Sequence, residues 1–304
     1  MEITFWGVRG SFPCPGPSTI RYGGNTACLE VRFSGTRRLA VIDAGSGIRE
    51  LGNDLAKRDD SGGGAVRADL FFSHTHMDHI MGFPYFSPLY VPGTELRIYG
   101  PATFEEGSLR KVLGEQMSYH HFPVRLSELP AELAYSELQE CSLGLGDGIT
   151  VTTRYLNHPL SCLGYRFEHA GQVLCTAYDT EPFFNLFAPE GGEPPGDDLV
   201  CREGQKAAAL ANERLEGFFA GADLLIYDTP YTLAEYESSR RGWGHTAIED
   251  AIRNGRRAGV KRLALFHHDP DRTDPQLDEL ASTYCGSLEG MEVFFAREGM
   301  RVRI

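Results

Sequence analysis

The feature that most constrains the fold is segment 74–79, which has the sequence His-Thr-His-Met-Asp-His. It follows the apolar run Leu-Phe-Phe at 70–72, which is typical of a buried strand. Three imidazoles and one carboxylate lie within six positions, although the 304 residues contain only ten histidines. These groups are ligands that suit zinc, iron or manganese. The segment therefore predicts a metal-binding turn after a strand; the alternative is a solvated polar loop with capping residues.

The pattern His-x-His-x-Asp-His after a buried strand resembles the metal-binding motif of the metallo-β-lactamase-fold hydrolases. In that family the first two histidines bind one metal and the Asp-His pair binds a second. The resemblance covers nearly the whole chain and implies an α/β fold, a four-layer αβ/βα sandwich that some schemes class as α+β. We expect one such domain over residues 1–304. The resemblance also implies that Asp43, after the apolar run 39–42, lies beneath the site and orients a ligand.

Several later strands that the apolar pattern predicts also end in His or Asp. Considered singly, such residues are more often structural than metal ligands. In the family, however, the next ligands are a histidine after a strand and an aspartate that bridges the metals, and His158 and Asp179 match both. His267 directly follows the run 262–266 and so matches the last ligand better than His268. The resemblance implies one metal bound by His74, His76 and His158, a second bound by Asp78, His79 and His267, and Asp179 shared by both.

A carboxylate and a histidine in the second half indicate a branch of this family. Asp228 ends the apolar run 224–227, and His245 precedes a helix with an acidic first turn. This arrangement resembles ribonuclease Z and cyclic-phosphate phosphodiesterases, in which a carboxylate orients a histidine that faces the scissile phosphate. Ribonuclease Z differs, since it has glutamate at the place of Asp228 and a basic arm for tRNA that this sequence does not show. The candidate catalytic residues are Asp78, Asp228 and His245.

The charge of the chain favours a small substrate. Its net charge is −13, whereas nucleic-acid binders need clustered Lys and Arg. Two divalent ions, zinc first and manganese or iron as alternatives, would activate a bridging water for hydrolysis. The family resemblance, together with this charge, thus implies a dinuclear phosphodiesterase that acts on a small nucleotide or sugar phosphodiester, including cyclic ones. The alternatives are a carbonyl hydrolase, such as a lactonase or thioesterase, and a non-catalytic metal-binding module.

The cysteines and the N-terminal sequence favour a cytoplasmic location. The seven cysteines are scattered and include no Cys-x-x-Cys pair, which argues against a disulfide framework. Residues 1–7 lack the basic and apolar regions of a signal peptide, and no apolar run has the length of a membrane span. We therefore expect a cytoplasmic protein without membrane contact, and a homodimer is compatible with the sequence.

Four further stretches of the sequence also predict structure. The aromatic segment 82–90 is typical either of a pocket wall or of core packing. His120 and His121 are adjacent and point in different directions on a regular element, so we expect them at a pocket rim or on the surface. Segment 181–198 predicts an exposed loop, and residues 293–295 and 300–304 predict a final hairpin.

Overall fold

Two mixed β-sheets form the centre of the fold in a computed structural model of the chain. The structure describes residues 1–58, 65–102, 107–188 and 198–304. The strands, numbered along the chain, are β1 (Glu2–Gly7), β2 (Cys28–Arg32), β3 (Leu39–Ile42), β4 (Arg67–Phe71), β5 (Glu95–Pro101), β6 (Glu132–Leu138), β7 (Ser142–Gly146), β8 (Ile149–Tyr155), β9 (Leu163–His169), β10 (Gln172–Ala177), β11 (Leu224–Asp228), β12 (Arg262–Phe266), β13 (Gly286–Leu288), β14 (Met291–Phe295) and β15 (Arg301–Arg303).

The first sheet has the strand order β15-β1-β2-β3-β4-β5-β6, and the second has the order β13-β14-β12-β11-β10-β9-β8-β7. Apolar side chains from both sheets form a buried layer between them. Within it the rings of Phe71 and Tyr99 stack at 4.7 Å, and those of Tyr178 and Phe266 stack at 4.8 Å. The central strands β3 and β12 are apolar on both faces because each sheet is covered on both sides.

Helices cover the outer face of each sheet. The helices are α1 (Ile48–Leu55), α2 (Met77–Ile80), α3 (Leu109–Gln116), α4 (Leu199–Phe219), α5 (Leu233–Glu235), α6 (Ile248–Arg257) and α7 (Asp274–Tyr284). Buried residues of α1 and α3 pack against the first sheet, and those of α4, α6 and α7 pack against the second. The order helix, sheet, sheet, helix confirms the predicted four-layer αβ/βα sandwich.

The direction of the strands brings the functional strand ends to one edge. Strands β3 to β6 run parallel, and so do β10, β11, β12 and β14. Because parallel strands end at the same edge of a sheet, the residues that follow β3, β4, β10, β11 and β12 lie together there. The site described below is built mostly from the segments that follow these strands.

Two details of the fold differ from the sequence-based expectation. The predicted final hairpin is wrong, because β14 pairs with β12 and β13 in the second sheet whereas β15 pairs with β1 in the first. The segment before residue 140 contains an additional strand, β6, whose side chains are mostly exposed because it forms the edge of its sheet. An edge strand buries little apolar surface, which explains its weak apolar signal.

The predicted exposed loop at 181–198 is correct only in part. Residues 189–197 lie outside the described ranges, while Glu181 and Asn185 within it are buried. None of the helices in the described ranges is long and apolar enough to span a lipid bilayer.

Candidate metal centre and active site

The strand ends bring the seven predicted metal ligands into two groups. The first contains His74, His76, His158 and Asp179, and the second contains Asp78, His79, His267 and again Asp179. In each group the candidate ligand atoms lie within 4.8 Å of one another. The grouping corresponds to the division that the family resemblance implies.

Imidazole nitrogens face one another in the first group. His76 Nδ1 lies 2.9 Å from His74 Nε2 and 3.1 Å from His158 Nε2. Asp179 Oδ2 lies 3.4 Å from His74 Nε2. Two atoms that each lie about 2.1 Å from one ion, at octahedral or tetrahedral angles, are about 3.0–3.4 Å apart. The spacing therefore fits ligands that share a divalent ion.

The second group has the same spacing. His267 Nε2 lies 3.2 Å from both His79 Nε2 and Asp78 Oδ2. Asp179 Oδ1 lies 3.3 Å from His79 Nε2 and 3.2 Å from His267 Nε2. This oxygen is buried, yet it accepts no hydrogen bond of good geometry from the described residues. A buried carboxylate oxygen in this state is costly unless a cation lies beside it, so the residues present fit a bound metal.

The charges of the second group also favour a cation. Burial alone lowers the pKa of His79, but the carboxylates of Asp179, Asp78 and Asp43 reverse this effect and hold its pKa well above the ordinary value. The imidazole would therefore take up a proton to balance the nearby negative charge. A divalent ion supplies that balancing charge instead and leaves the histidine neutral, as metal ligation requires.

Hydrogen bonds from Nδ1 orient two of the histidines. His79 Nδ1 lies 2.7 Å from Asp43 Oδ2, and His158 Nδ1 lies 3.0 Å from the carbonyl oxygen of Gly244. Asp43 is itself held, since the backbone N–H and the hydroxyl of Ser73 both donate to it at 2.7 Å. In the tautomers that donate from Nδ1, the Nε2 lone pairs are free for a metal. Asp43 thus contacts a candidate ligand, as the family resemblance implies.

Backbone strain is concentrated at this site. Four of the seven non-glycine residues with positive φ in the described chain are Ser11, Asp43, Asp179 and His267. The last three each lie within two residues after the end of a strand. A left-handed conformation there turns the chain sharply and directs the side chain into the cleft, at a cost of order 1–3 kcal/mol each.

A loop from the N-terminal half closes one side of the centre. The backbone N–H of Ser11 donates to Asp78 Oδ2 at 2.7 Å. The neighbouring Gly10 lies so close to His267 that a Cβ atom at this position would be 2.3 Å from the imidazole ring. Gly10 therefore has to be glycine for His267 to reach the second group, a constraint that sequence reasoning missed.

We expect Gly10→Ala to weaken metal binding about 10- to 100-fold, as does the loss of other groups that orient a metal ligand. The added methyl group would displace the His267 ring. Titration of metal-free protein with zinc measures the change. Gly16→Ala is the matched control, since a Cβ atom there meets nothing within 4 Å. Equal zinc affinity in both variants would contradict this role of Gly10.

The remaining histidines and the aromatic segment lie elsewhere. His268 directs Nε2 to the carbonyl oxygen of Ala296 at 2.8 Å, and burial lowers its pKa to about 3. His120 and His121 are exposed. From the aromatic segment 82–90, Phe83, Phe86 and Leu89 pack in the core beneath α1. This favours the core interpretation of that segment.

We expect His267→Ala to lose one metal and to abolish hydrolysis, whereas His268→Ala should keep the metal content of the wild type. The difference arises because only the His267 ring faces Asp78 and Asp179. Metal analysis of the purified variants, together with their circular dichroism spectra, checks this expectation. If His268→Ala lost metal and His267→Ala did not, His268 and not His267 would be the metal ligand.

Asp228 connects the metal centre with His245. Its carboxylate is fully buried, and Oδ2 accepts from the backbone N–H of Thr180 at 3.1 Å and lies 2.9 Å from His245 Nδ1. Oδ1 lies 3.3 Å from His267 Nδ1. The rings of His245 and His267 stack 5.2 Å apart. Burial lowers the pKa of His245, but the Asp228 carboxylate outweighs this and raises it above the ordinary value.

Sequence comparison relates the chain to nucleases. A scan against models of known protein families finds no match. The ribonuclease BN of Cronobacter sakazakii is 28% identical over 296 residues, which cover 88% of each chain. The ribonuclease Z of Streptococcus thermophilus is 28% identical over 232 residues, which cover 65% of this chain and 70% of the relative.

Solved structures show the same fold. The metallo-β-lactamase fold protein YhfI from Bacillus subtilis matches with a TM-score of 0.64 at 19% identity, over 99% of this chain and 98% of that protein. The short form of human tRNase Z matches with a TM-score of 0.64 at 20% identity, over 100% and 99% of the two chains. A diphosphatase of the PhnP family matches with a TM-score of 0.65 at 15% identity, over 100% and 97%. The chain therefore has the metallo-β-lactamase fold of metal-dependent hydrolases, and it is similar in sequence to ribonucleases BN and Z.

Proposed function

We propose that the protein is a dinuclear phosphodiesterase that hydrolyses a small nucleotide or sugar phosphodiester, including cyclic ones. The observation that carries the proposal is the Asp228–His245 pair beside the two ligand groups. A carbonyl hydrolase would need the metal ligands but would have no phosphate for this pair to serve. Names of relatives and of similar structures, which include ribonucleases and a diphosphatase, support phosphate chemistry.

The proposed ligand sets are those that the structure groups together. One ion would bind to His74, His76 and His158, and the other to Asp78, His79 and His267, with Asp179 between them. Zinc suits these nitrogen and oxygen ligands, with manganese or iron as alternatives. When bound, two such ions lower the pKa of a water and polarise phosphoryl oxygens.

The proposed role of His245 is to donate a hydrogen bond or proton to an oxygen of the scissile phosphate. Asp228 holds Nδ1, which leaves Nε2 as the nitrogen available to a substrate. Thr180 fixes Asp228 in turn through its backbone N–H. General acid catalysis of this kind contributes about 10²–10⁴-fold to a rate.

The substrate size follows from charge. The net charge of −13 opposes a long polyanion, whose binding depends on many cationic contacts. A ribonuclease activity is the second candidate, because the chain is similar to the two ribonucleases named above over most of their length. We also propose that the chain forms one functional domain, since both sheets contribute candidate ligands. We further propose a cytoplasmic location, because all seven cysteines are free thiols, which are typical of a reducing compartment.

A panel of substrates tests the proposal. Zinc-loaded protein is incubated with a 2′,3′-cyclic nucleotide, a precursor tRNA, a lactone and a thioester. We expect turnover of the cyclic nucleotide to exceed that of the other three substrates. Faster cleavage of the tRNA would establish the ribonuclease candidate, and faster turnover of the lactone or thioester would show that the protein is a carbonyl hydrolase.

A further inference from the structure

An exposed tryptophan lies next to the proposed catalytic histidine. Trp243 is 53% exposed, although its neighbour Gly244 contacts His158 through its carbonyl oxygen and His245 follows directly. Two residues of extended chain span at most about 7 Å, so the Trp243 backbone is this close to that of His245. Trp243 thus belongs to the mouth of the cleft and not to a remote surface.

Arg240 extends a positive charge along the same side of the cleft. Its guanidinium lies 4.5 Å from the centre of the Trp243 ring and 5.6 Å from the centre of the Tyr231 ring. Tyr231 in turn packs edge-on against His245 at 6.1 Å. Among the described residues Arg240 forms no ion pair with a carboxylate. No carboxylate of the described residues therefore neutralises its charge beside the Trp243 ring.

Contacts within the segment hold these side chains in place. The buried carboxylate of Glu181 accepts from the hydroxyl of Tyr236 at 3.0 Å and from the backbone N–H of Gly242 at 2.9 Å. Gly242 and Gly244, on either side of Trp243, have φ values of +84° and +81°. Only glycine adopts these conformations readily. The ring is therefore presented by a fixed backbone.

Other exposed apolar side chains flank the metal groups. Phe12 is 67% exposed and follows Ser11, whose N–H donates to Asp78. Met77 is 59% exposed and lies between His76 and Asp78. Three segments that contact the metal centre thus each present an apolar side chain to solvent. This arrangement suits a substrate with an apolar, flat group attached to its phosphate.

We propose that Trp243 and Arg240 form the subsite for the nucleobase of the substrate, so that the substrate is a nucleotide and not a base-free sugar phosphodiester. The inference rests on the proposed phosphodiesterase function and narrows its substrate class. A base stacks on the free face of the Trp243 ring, and the Arg240 guanidinium on the other face strengthens the stack. The phosphodiester then extends towards His245 and the metal ligands.

The kinetic test compares two substrates that differ only in the base. They are adenosine 2′,3′-cyclic phosphate and the corresponding ribose 2′,3′-cyclic phosphate without a base. We expect the wild type to prefer the base-bearing substrate, and Trp243→Ala to reduce the ratio of the two kcat/KM values about tenfold, mainly through KM. Tyr119→Ala is the matched control, since Arg125 lies 4.0 Å above its ring in the connection between α3 and β6. An unchanged ratio in Trp243→Ala would overturn the inference.

A binding measurement separates this inference from the proposed function. The chain has two tryptophans, and Trp6 is tied to Glu30 by a hydrogen bond. Titration with adenosine monophosphate should quench the fluorescence of the wild type and of Tyr119→Ala, but not that of Trp243→Ala. If the wild type hydrolyses neither cyclic phosphate, the proposed function fails, and the quenching alone decides the inference. Absence of quenching in the wild type would refute the subsite.

Discussion

Asp179→Ala is expected to lose both metals and to reduce hydrolysis by roughly 10³-fold or more, because the metals supply the activated water. Asp179 is the one predicted ligand that belongs to both groups, with Oδ1 facing His79 and His267 and Oδ2 facing His74. Its removal takes a ligand from each ion at once. Metal analysis after gel filtration and single-turnover assays measure the two losses.

The control for this variant is Asp271→Ala. Asp271 is an exposed aspartate in the loop that follows His267, and its loss should change neither metal content nor rate. Circular dichroism shows whether Asp179→Ala keeps its fold. A folded Asp179→Ala protein that retains two tightly bound ions would contradict the shared-ligand account.

His245→Ala is expected to keep both metals and the fold but to lose about 10²–10⁴-fold in rate on a phosphodiester. The loss should be smallest for a leaving group acidic enough to depart without protonation, because His245 then has no proton to supply. Rates with a series of aryl phosphodiesters of graded leaving-group acidity measure this dependence. Loss of a metal from His245→Ala, or unchanged turnover, would remove the main support for the phosphodiesterase proposal.

Asp228→Asn is expected to give a smaller loss in the same direction, since Asp228 acts through His245. The double variant should be little worse than His245→Ala alone if the two groups act as a unit. Asp228 Oδ1 also lies 3.3 Å from His267 Nδ1, so its replacement affects a candidate metal ligand as well. The comparison therefore has to be made at saturating metal, where a weakened His267 contact does not affect the rate.

The strand ends could be predicted from the sequence because each is marked by an apolar run that stops at a polar group. Asp228 and His267 are the simplest cases, since β11 and β12 are fully apolar apart from their ends. His158 and Asp179 are identified only through the family resemblance, in which the ligands after the motif at 74–79 are a histidine that follows a strand and then an aspartate. The fold prediction is confirmed, whereas the assignment of these side chains as metal ligands stays a prediction, although the structure brings them close together.

Other parts of the site could not be predicted because they depend on contacts between distant segments. Gly10 is 257 positions from His267 along the chain, and no local pattern indicates that a methyl group would collide with that ring. Glu181 lay in a segment whose composition is typical of an exposed loop, yet it is buried against Tyr236 and Gly242. Positive φ at Asp43, Asp179 and His267 likewise results from tertiary packing.

The most direct test of the central claim is the phosphodiesterase rate of metal-free protein as zinc is added in known amounts. The account predicts that turnover of a 2′,3′-cyclic nucleotide rises until two equivalents per chain are bound and then stays constant. Full activity at one equivalent, or an absence of phosphodiester turnover at two equivalents while a lactone is hydrolysed, would contradict it.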